Sequence, residues 1–230
     1  MFHTIFNGVL DRDVGIMTVS RPARPIPKEN IKEYDLPGRD GKLTEHLGTY
    51  QDIQISVDFN FVQEIKKWES RVREISRWLS GTGELSFSDD PDIYYKVKSI
   101  EAADITRSKR VIGKFTVKFT VDPYQYSRIG ENEIPLLNNL ENPGEESSPI
   151  YRIEGEGNFT LTVNANSMAI DVGQNITIDT EKEMAYKDDG SILNTTVIGE
   201  FEDLRLKKGS NTLSATAGFT VTVKPNWRYL

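Results

Sequence analysis

Cysteine is absent from this chain, and histidine occurs only as His3 and His46. These absences exclude a disulfide framework, thiol catalysis and thiolate metal sites, and they leave histidine-rich metal sites without ligands. No stretch of about 18 consecutive apolar residues exists, so no segment reads as a membrane-spanning helix. The opening run to Phe6 lacks the basic and apolar regions of a secretory leader. Positive charge is scarce: 28 Lys and Arg stand against 35 Asp and Glu, a formal net of −7. A surface of that sign is poor material for binding nucleic acid. Common catalytic signatures are missing as well, with no Gly-x-Ser-x-Gly, no His-Glu-x-x-His and no phosphate-cradling glycine loop. The expectation is a soluble, intracellular, non-enzymatic protein without cofactor or metal.

What is present is unevenly spread. Residues 1–133 carry 20 basic and 21 acidic residues, net −1, whereas 134–230 carry 8 and 14, net −6. A loop-forming run, Asn138-Asn139-Leu140-Glu141-Asn142-Pro143-Gly144, follows that change. Two domains are therefore expected, 1–133 and 134–230.

The first half opens with strand-like runs at His3–Phe6 and Val14–Val19. Arg21-Pro22-Ala23-Arg24-Pro25-Ile26-Pro27 cannot be helical and reads as extended chain. From there to Gly48 there is little periodicity, which reads as a long irregular arm. Ile53, Ile55, Val57, Phe59 and Phe61 then alternate with polar residues, as in a half-buried strand. The period changes to that of a helix over Ile65, Trp68, Val72, Ile75 and Leu79, and Gly81 stops it. Further strands are expected at Leu85–Phe87, Ile93–Ile100 and Val111–Val121. This half is α+β, an antiparallel sheet with one helix packed on it. In the second half, alternation at Phe159–Ala165, Ile176–Asp179 and Phe219–Lys224, punctuated by turn residues, predicts a β-sandwich without helices. The fold class is mainly β.

Candidate sites are few. Asp89, Asp90 and Asp92 cluster around Pro91, but without the ligand spacing of a calcium loop they read as a turn. Trp68 falls on the apolar stripe of the helix and Trp78 at its edge. Arg107, Lys109 and Arg110 read as a solvated hairpin tip. The feature that a closed antiparallel sheet does not need is the proline-rich arm and the Pro37-Gly38-Arg39-Asp40-Gly41 run that follows it. An exposed arm of this kind suits contact with another subunit.

At these residues the chain resembles the distal tail proteins of siphophages. The likeness rests on Phe6-Asn7-Gly8-Val9, Pro37 to Gly41, Gly83-Glu84-Leu85 through Asp89, Asp90 and Tyr94-Tyr95, Phe115 and Phe119, and Asp122-Pro123-Tyr124. It continues through Asn142-Pro143-Gly144, Ile178-Asp179, Gly209 with Asn211, and Pro225-Asn226-Trp227-Arg228. The resemblance implies a tail-tube-like first domain and a galectin-like second one. It further implies a hexameric ring of this chain, set in the virion tail between the tail-tube protein and the tail-associated lysin or tip protein. Assembly would occur in the bacterial host cytoplasm, from a free phage or a prophage, and phage DNA would pass through the ring without specific binding. Neither half carries a large insertion, so the chain looks like the short form, without the inserted carbohydrate-binding module of longer members.

Subunit contacts are expected at Pro37, Gly38, Arg39, Asp40 and Gly41. The alternative function is a soluble lectin-like module acting through the second domain. A sugar site there needs an aromatic platform beside hydrogen-bonding side chains, which Tyr186 with Asp188, or Trp227 with Arg228, could supply.

Overall fold

The alternation between Ile53 and Phe61 becomes a strand in which Ile53, Ile55, Val57, Phe59 and Phe61 are all buried. The computed structural model describes residues 2–230. The chain divides into two units between Gln125 and Tyr126, each with its own hydrophobic core. That division precedes residue 133. Ser127 N–H donates to Trp227 O at 2.9 Å and Ile134 pairs with Val223, which binds this stretch to the second unit.

The first unit contains β1 (Thr4–Phe6), β2 (Val9–Leu10), β3 (Met17–Thr18), β4 (Glu29–Tyr34), β5 (Leu43–Tyr50), β6 (Ile53–Val62), α1 (Trp68–Trp78), β7 (Gly83–Phe87), β8 (Asp90–Ala102), β9 (Thr106–Lys109) and β10 (Ile112–Val121). Its sheet is antiparallel, in the order β2-β1-β7-β8-β10-β6-β3, with β9 alongside the start of β10. β6 and β10 pair along their whole length, so Phe59 faces Phe115, Val57 faces Val117 and Ile55 faces Phe119 on the buried side. Such apolar cross-strand pairs hold a sheet in register.

α1 covers this buried face. Trp68 and Ile75 are buried on it, and the Phe61 and Trp68 rings lie 4.9 Å apart. Burying a side chain such as Ile75 contributes about 1.5–3 kcal/mol. Glu69 in the first turn and Arg77 in the last suit the helix dipole. A 3-10 turn, Ile65–Lys67, precedes the helix rather than continuing it. Trp78 is a core-edge residue, edge-on to Phe6 at 6.2 Å and Phe59 at 5.9 Å.

The expected strand at Val14–Val19 is shorter, because a 3-10 turn occupies Asp11–Val14. The fully buried Asp11 carboxylate organises this turn. It accepts from Arg12 N–H at 2.7 Å, Thr18 N–H at 3.0 Å and the Thr18 hydroxyl at 2.6 Å. Asp11 is satisfied only if the chain curls round it.

The second unit holds β11 (Gln125–Ser127), β12 (Ile134–Pro135), β13 (Asn139–Asn142), β14 (Ile150–Val163), β15 (Asn166–Asp179), β16 (Met184–Tyr186), β17 (Val197–Ile198), β18 (Gly209–Ala215), β19 (Thr220–Lys224) and β20 (Arg228–Tyr229). β14 and β15 form one long hairpin, paired from Ile150 with Asp179 to Val163 with Asn166. Its outer neighbours change halfway. β19 and β16 flank the Ile150 end, while β18 and β17 flank the Val163 end.

The change falls at Gly155-Glu156-Gly157. Gly155 has φ +151°, and a Cβ there would sit 2.3 Å from the Phe219 ring. The hairpin bends at this point, so Tyr151 and Ile153 share one core with Phe159, Leu161 and Val163. The strands joined at the two halves belong to one eight-stranded antiparallel sheet around the second core. Tyr151 is fully buried and donates to Leu204 O at 2.8 Å, and burial holds its phenol far above the ordinary range. The Asn142 and Asn211 side chains lock the turns carrying them: Asn142 accepts from Gly144 N–H, and Asn211 donates to Lys207 O and Gly209 O.

Candidate functional site

The arm begins as a strap. Proline at positions 22, 25 and 27 keeps Arg21–Pro27 extended, and no strand forms there. Arg21 and Arg24 fasten it to the turn between β7 and β8. Arg21 lies 3.2 Å from Asp89, and Arg24 lies 3.8 Å from Asp89 and 3.6 Å from Asp90. The same guanidinium groups rest over rings, Arg21 at 5.6 Å from Phe2 and Arg24 at 6.0 Å from Phe87. The aspartate cluster therefore sits at a turn, as its composition suggests, and also moors the arm. Sequence reasoning missed that role, since nothing local links Arg24 to Asp90.

Beyond the strap the arm is a regular hairpin, which corrects the irregular reading of the stretch to Gly48. Among the described residues β4 and β5 pair with each other and with no other strand, with Ile31 opposite His46, Lys32 opposite Glu45 and Tyr34 opposite Leu43. From Leu43 to Thr49 every residue of β5 is exposed. Because neither face is buried, no alternation marks these strands in the sequence.

Polar contacts stitch the hairpin together. Lys42 pairs with Glu33 at 2.8 Å, His46 Nδ1 meets Glu29 at 2.8 Å, and Asn30 donates to Thr49 Oγ1 at 2.9 Å. The Tyr34 hydroxyl donates to Glu45 at 2.7 Å, which raises the tyrosine above its usual value. Exposed pairs of this type contribute only about 0–1 kcal/mol each. A two-stranded ribbon held this way is marginal in water.

Pro37 to Gly41 form the tip, with all five residues exposed. Gly38 and Gly41 take positive φ, +83° and +75°, which lets the chain reverse within this short span. Arg39 N–H donates to Leu36 O at 3.2 Å. Among the described residues the side chains of Arg39 and Asp40 have no partner, so both remain available for contacts outside the chain.

In the second unit the residues considered for sugar contact separate into two places. Tyr186 and Asp188 line a cleft of about 310 Å³ with Glu133, Arg152, Thr222 and Lys224. Asp188 is engaged there by Arg152 at 2.8 Å, and Arg152 also bonds Glu154 at 3.2 Å; Glu154 first, then Asp188, raise the guanidinium further. Trp227 and Arg228 do not line this cleft. The Trp227 ring packs against the second core with its Nε1 buried, and Arg228 Nε donates to Glu146 O at 2.5 Å. Both residues anchor the chain end.

Among the described residues no group of three or more His, Asp or Glu side chains is placed to hold a metal ion. On the polar side of the first sheet Lys98 bridges Asp52 at 2.7 Å and Asp122 at 2.8 Å. Partial burial opposes its charge, but the two carboxylates outweigh that and raise the ammonium. Arg107 is exposed near the hairpin tip, and its guanidinium lies 4.1 Å from the centre of the Trp68 ring.

Comparison with known proteins follows this architecture. Residues 13–121, which contain the strap, the hairpin arm, α1 and most of the first sheet, match the family model of the phage tail protein RIFT-related domain. No curated protein matches the chain. Among solved structures the chain is similar to the crystal structure of SPP1 Dit (gp 19.1), described as a paradigm of the hub adsorption apparatus in phages that infect Gram-positive bacteria. The two chains cover each other completely, with 15% identity and a TM-score of 0.77. At that identity the likeness is one of fold.

Proposed function

We propose that this chain, whose residues 13–121 match the phage tail protein RIFT-related domain and whose fold is similar to that of SPP1 Dit, is the structural hub at the end of a phage tail. Six copies close into a ring, joining the tail-tube protein on one side to the tail-associated lysin or tip protein on the other. The ring is assembled in the host cytoplasm and ends in the virion tail.

The observation that carries this reading is the arm. A hairpin exposed on both faces, paired among the described residues only with itself and moored by Arg21 and Arg24, has no evident purpose in an isolated domain. Such an element is stabilised by what it docks on. Head-to-tail docking of one copy on the next closes a ring when the rotation permits. The paired charges on the polar sheet side, Lys98 with Asp52 and Asp122, and the net charge of −7 suit a conduit from which DNA slides rather than adheres.

The test is solution mass by light scattering, alone and with the purified tail-tube protein. A mass of six chains that persists on dilution is expected. A chain that stays monomeric alone and also with its tube partner overturns the reading.

A further inference from the structure

Three steps in this chain place Asn or Asp directly before glycine: Asn7-Gly8, Asp40-Gly41 and Asp189-Gly190. Such steps rearrange without an enzyme when the glycine nitrogen attacks Cγ of the preceding side chain and closes a five-membered imide. Glycine favours this, because it has no Cβ to shield its nitrogen and restricts the backbone least. The fold decides which of the three reacts, since a nucleophile or carboxyl engaged in other hydrogen bonds must first be released.

Two of the three are held. The Asn7 carboxamide is fixed at both ends: its oxygen accepts from Glu84 N–H at 2.9 Å, and its nitrogen donates to Thr82 O at 3.3 Å. The Asp189 carboxylate accepts from Ser191 N–H at 2.8 Å, while Gly190 N–H donates to Lys187 O at 2.9 Å. Both reacting groups are therefore occupied there. The bond from Ser191 also lowers the Asp189 pKa, which keeps the carboxyl ionised when ring closure needs it neutral to shed water.

The third step lies open. Asp40 and Gly41 are exposed at the tip of the arm. Among the described residues neither the Asp40 carboxylate nor the Gly41 N–H has a hydrogen-bond partner. Nothing beyond the chain neighbours comes within 4 Å of the place a Cβ on Gly41 would take. Exposed loop tips of this kind are where chemical change of a folded chain concentrates.

We infer that Asp40-Gly41 is a self-modification site, at which the folded chain converts aspartate to isoaspartate. Gly41 N gives up its proton and bonds to Cγ of the neutral Asp40 carboxyl; the C–OH bond breaks, one water leaves and the imide forms. Solvent water then adds to either imide carbonyl and breaks its bond to nitrogen. Opening at Cγ restores aspartate. Opening at the backbone carbonyl leaves isoaspartate of the same mass, with the main chain running through Cβ and Cγ, one carbon longer, and the carboxylate on Cα. The change falls in a turn that Gly38 and Gly41 close at positive φ, so aged chain presents a different tip from fresh chain. Only groups within one chain take part, so a monomeric result in the mass measurement leaves this assignment untouched.

The reaction is read in heavy-oxygen water, since each ring opening leaves one heavy oxygen in the carboxyl group. The full chain is incubated near neutral pH, both folded and in guanidinium chloride, and then cut after lysine. Fragmentation locates the label in the peptides Glu33–Lys42 and Asp188–Lys207. Folding is expected to leave uptake at Asp40 within a few-fold of its unfolded rate. At Asp189 it should slow uptake by about tenfold or more, because two hydrogen bonds must break first. A protease that cuts before aspartate but not before isoaspartate should fail increasingly at position 40. Gly41→Ala, which puts a Cβ beside the nucleophile, should lower uptake at Asp40 several-fold and leave Asp189 unchanged. Equal slowing at Asp40 and Asp189 on folding, for whatever reason, overturns the assignment. So does undiminished uptake at Asp40 in Gly41→Ala, or complete cutting before residue 40 in labelled chain.

Discussion

Arg24 and Asp90 face each other at 3.6 Å, and through that pair the strap preceding the arm is tied to the first residue of β8. Arg21 makes the parallel contact with Asp89 at 3.2 Å. All four side chains are partly solvated, so each ion pair or ring contact contributes at most about 1 kcal/mol. Replacing both arginines, Arg21→Ala with Arg24→Ala, should therefore leave the unfolding midpoint nearly unchanged. It should free the strap. Chymotrypsin is expected to cut after Tyr34 several times faster in the double variant than in the parent chain. Equal cleavage rates would mean that the prolines alone hold the strap in place.

The tip residue Arg39 offers a test of assembly that does not touch the core. It is exposed and without a side-chain partner among the described residues, so Arg39→Glu should not change the denaturant midpoint measurably. Charge reversal at an interface rim acts mainly on association. The expected result is a lower mean mass by light scattering at low salt, with part of the loss recovered at high salt as screening increases. A variant with the parent's mass at every concentration would remove the tip from the contact.

The hydrogen bond from Tyr34 to Glu45 gives the arm a pH limit on the alkaline side. The phenol is raised in the folded chain, so the bond's contribution is fully present below the unfolded tyrosine value of about 10. It is lost as pH rises through the higher folded value. Phenolate absorbance should show one tyrosine fewer titrating late in Tyr34→Phe than in the parent. Amide exchange in β4 and β5 of the parent should quicken over the same pH range. If the two proteins titrate identically, Tyr34 is not held by Glu45 in solution.

How much of this was legible depends on whether a strand has a buried face. β6 could be read because Ile53, Ile55, Val57, Phe59 and Phe61 all point into the core while their neighbours do not. α1 was legible for the same reason at helical spacing. β4 and β5 were not, since Glu29–Tyr34 and Leu43–Tyr50 are solvated on both sides and obey no periodic rule. The length of β14 was hidden differently. Its alternation is interrupted at Gly155 and Gly157, where the strand bends and changes neighbours, and the interruption reads as a turn. At the candidate site the tip was visible as a glycine-flanked charged run. Its mooring was not, because ion pairs between Arg21 or Arg24 and Asp89 or Asp90 exist only once β7 and β8 have folded.

The turn of the chain at Gly155 is also a vulnerable point of the second unit. A methyl group on Gly155 meets the Phe219 ring at 2.3 Å, and φ of +151° is strained for any residue with a Cβ. Gly157 shares the positive φ, +110°, but a methyl group there meets nothing within 4 Å. The two substitutions thus separate backbone strain from crowding. Gly157→Ala should cost the strain alone, about 1–3 kcal/mol. Gly155→Ala adds overpacking, about 1–3 kcal/mol more. Native-state hydrogen exchange at Ile153 and Phe159, on either side of the bend, reads the effect in the unit where it acts. Faster exchange in Gly155→Ala than in Gly157→Ala is expected at both residues. The reverse order would mean that Phe219 yields freely, and that the bend is set by backbone conformation rather than by the packing of β14 against its neighbours.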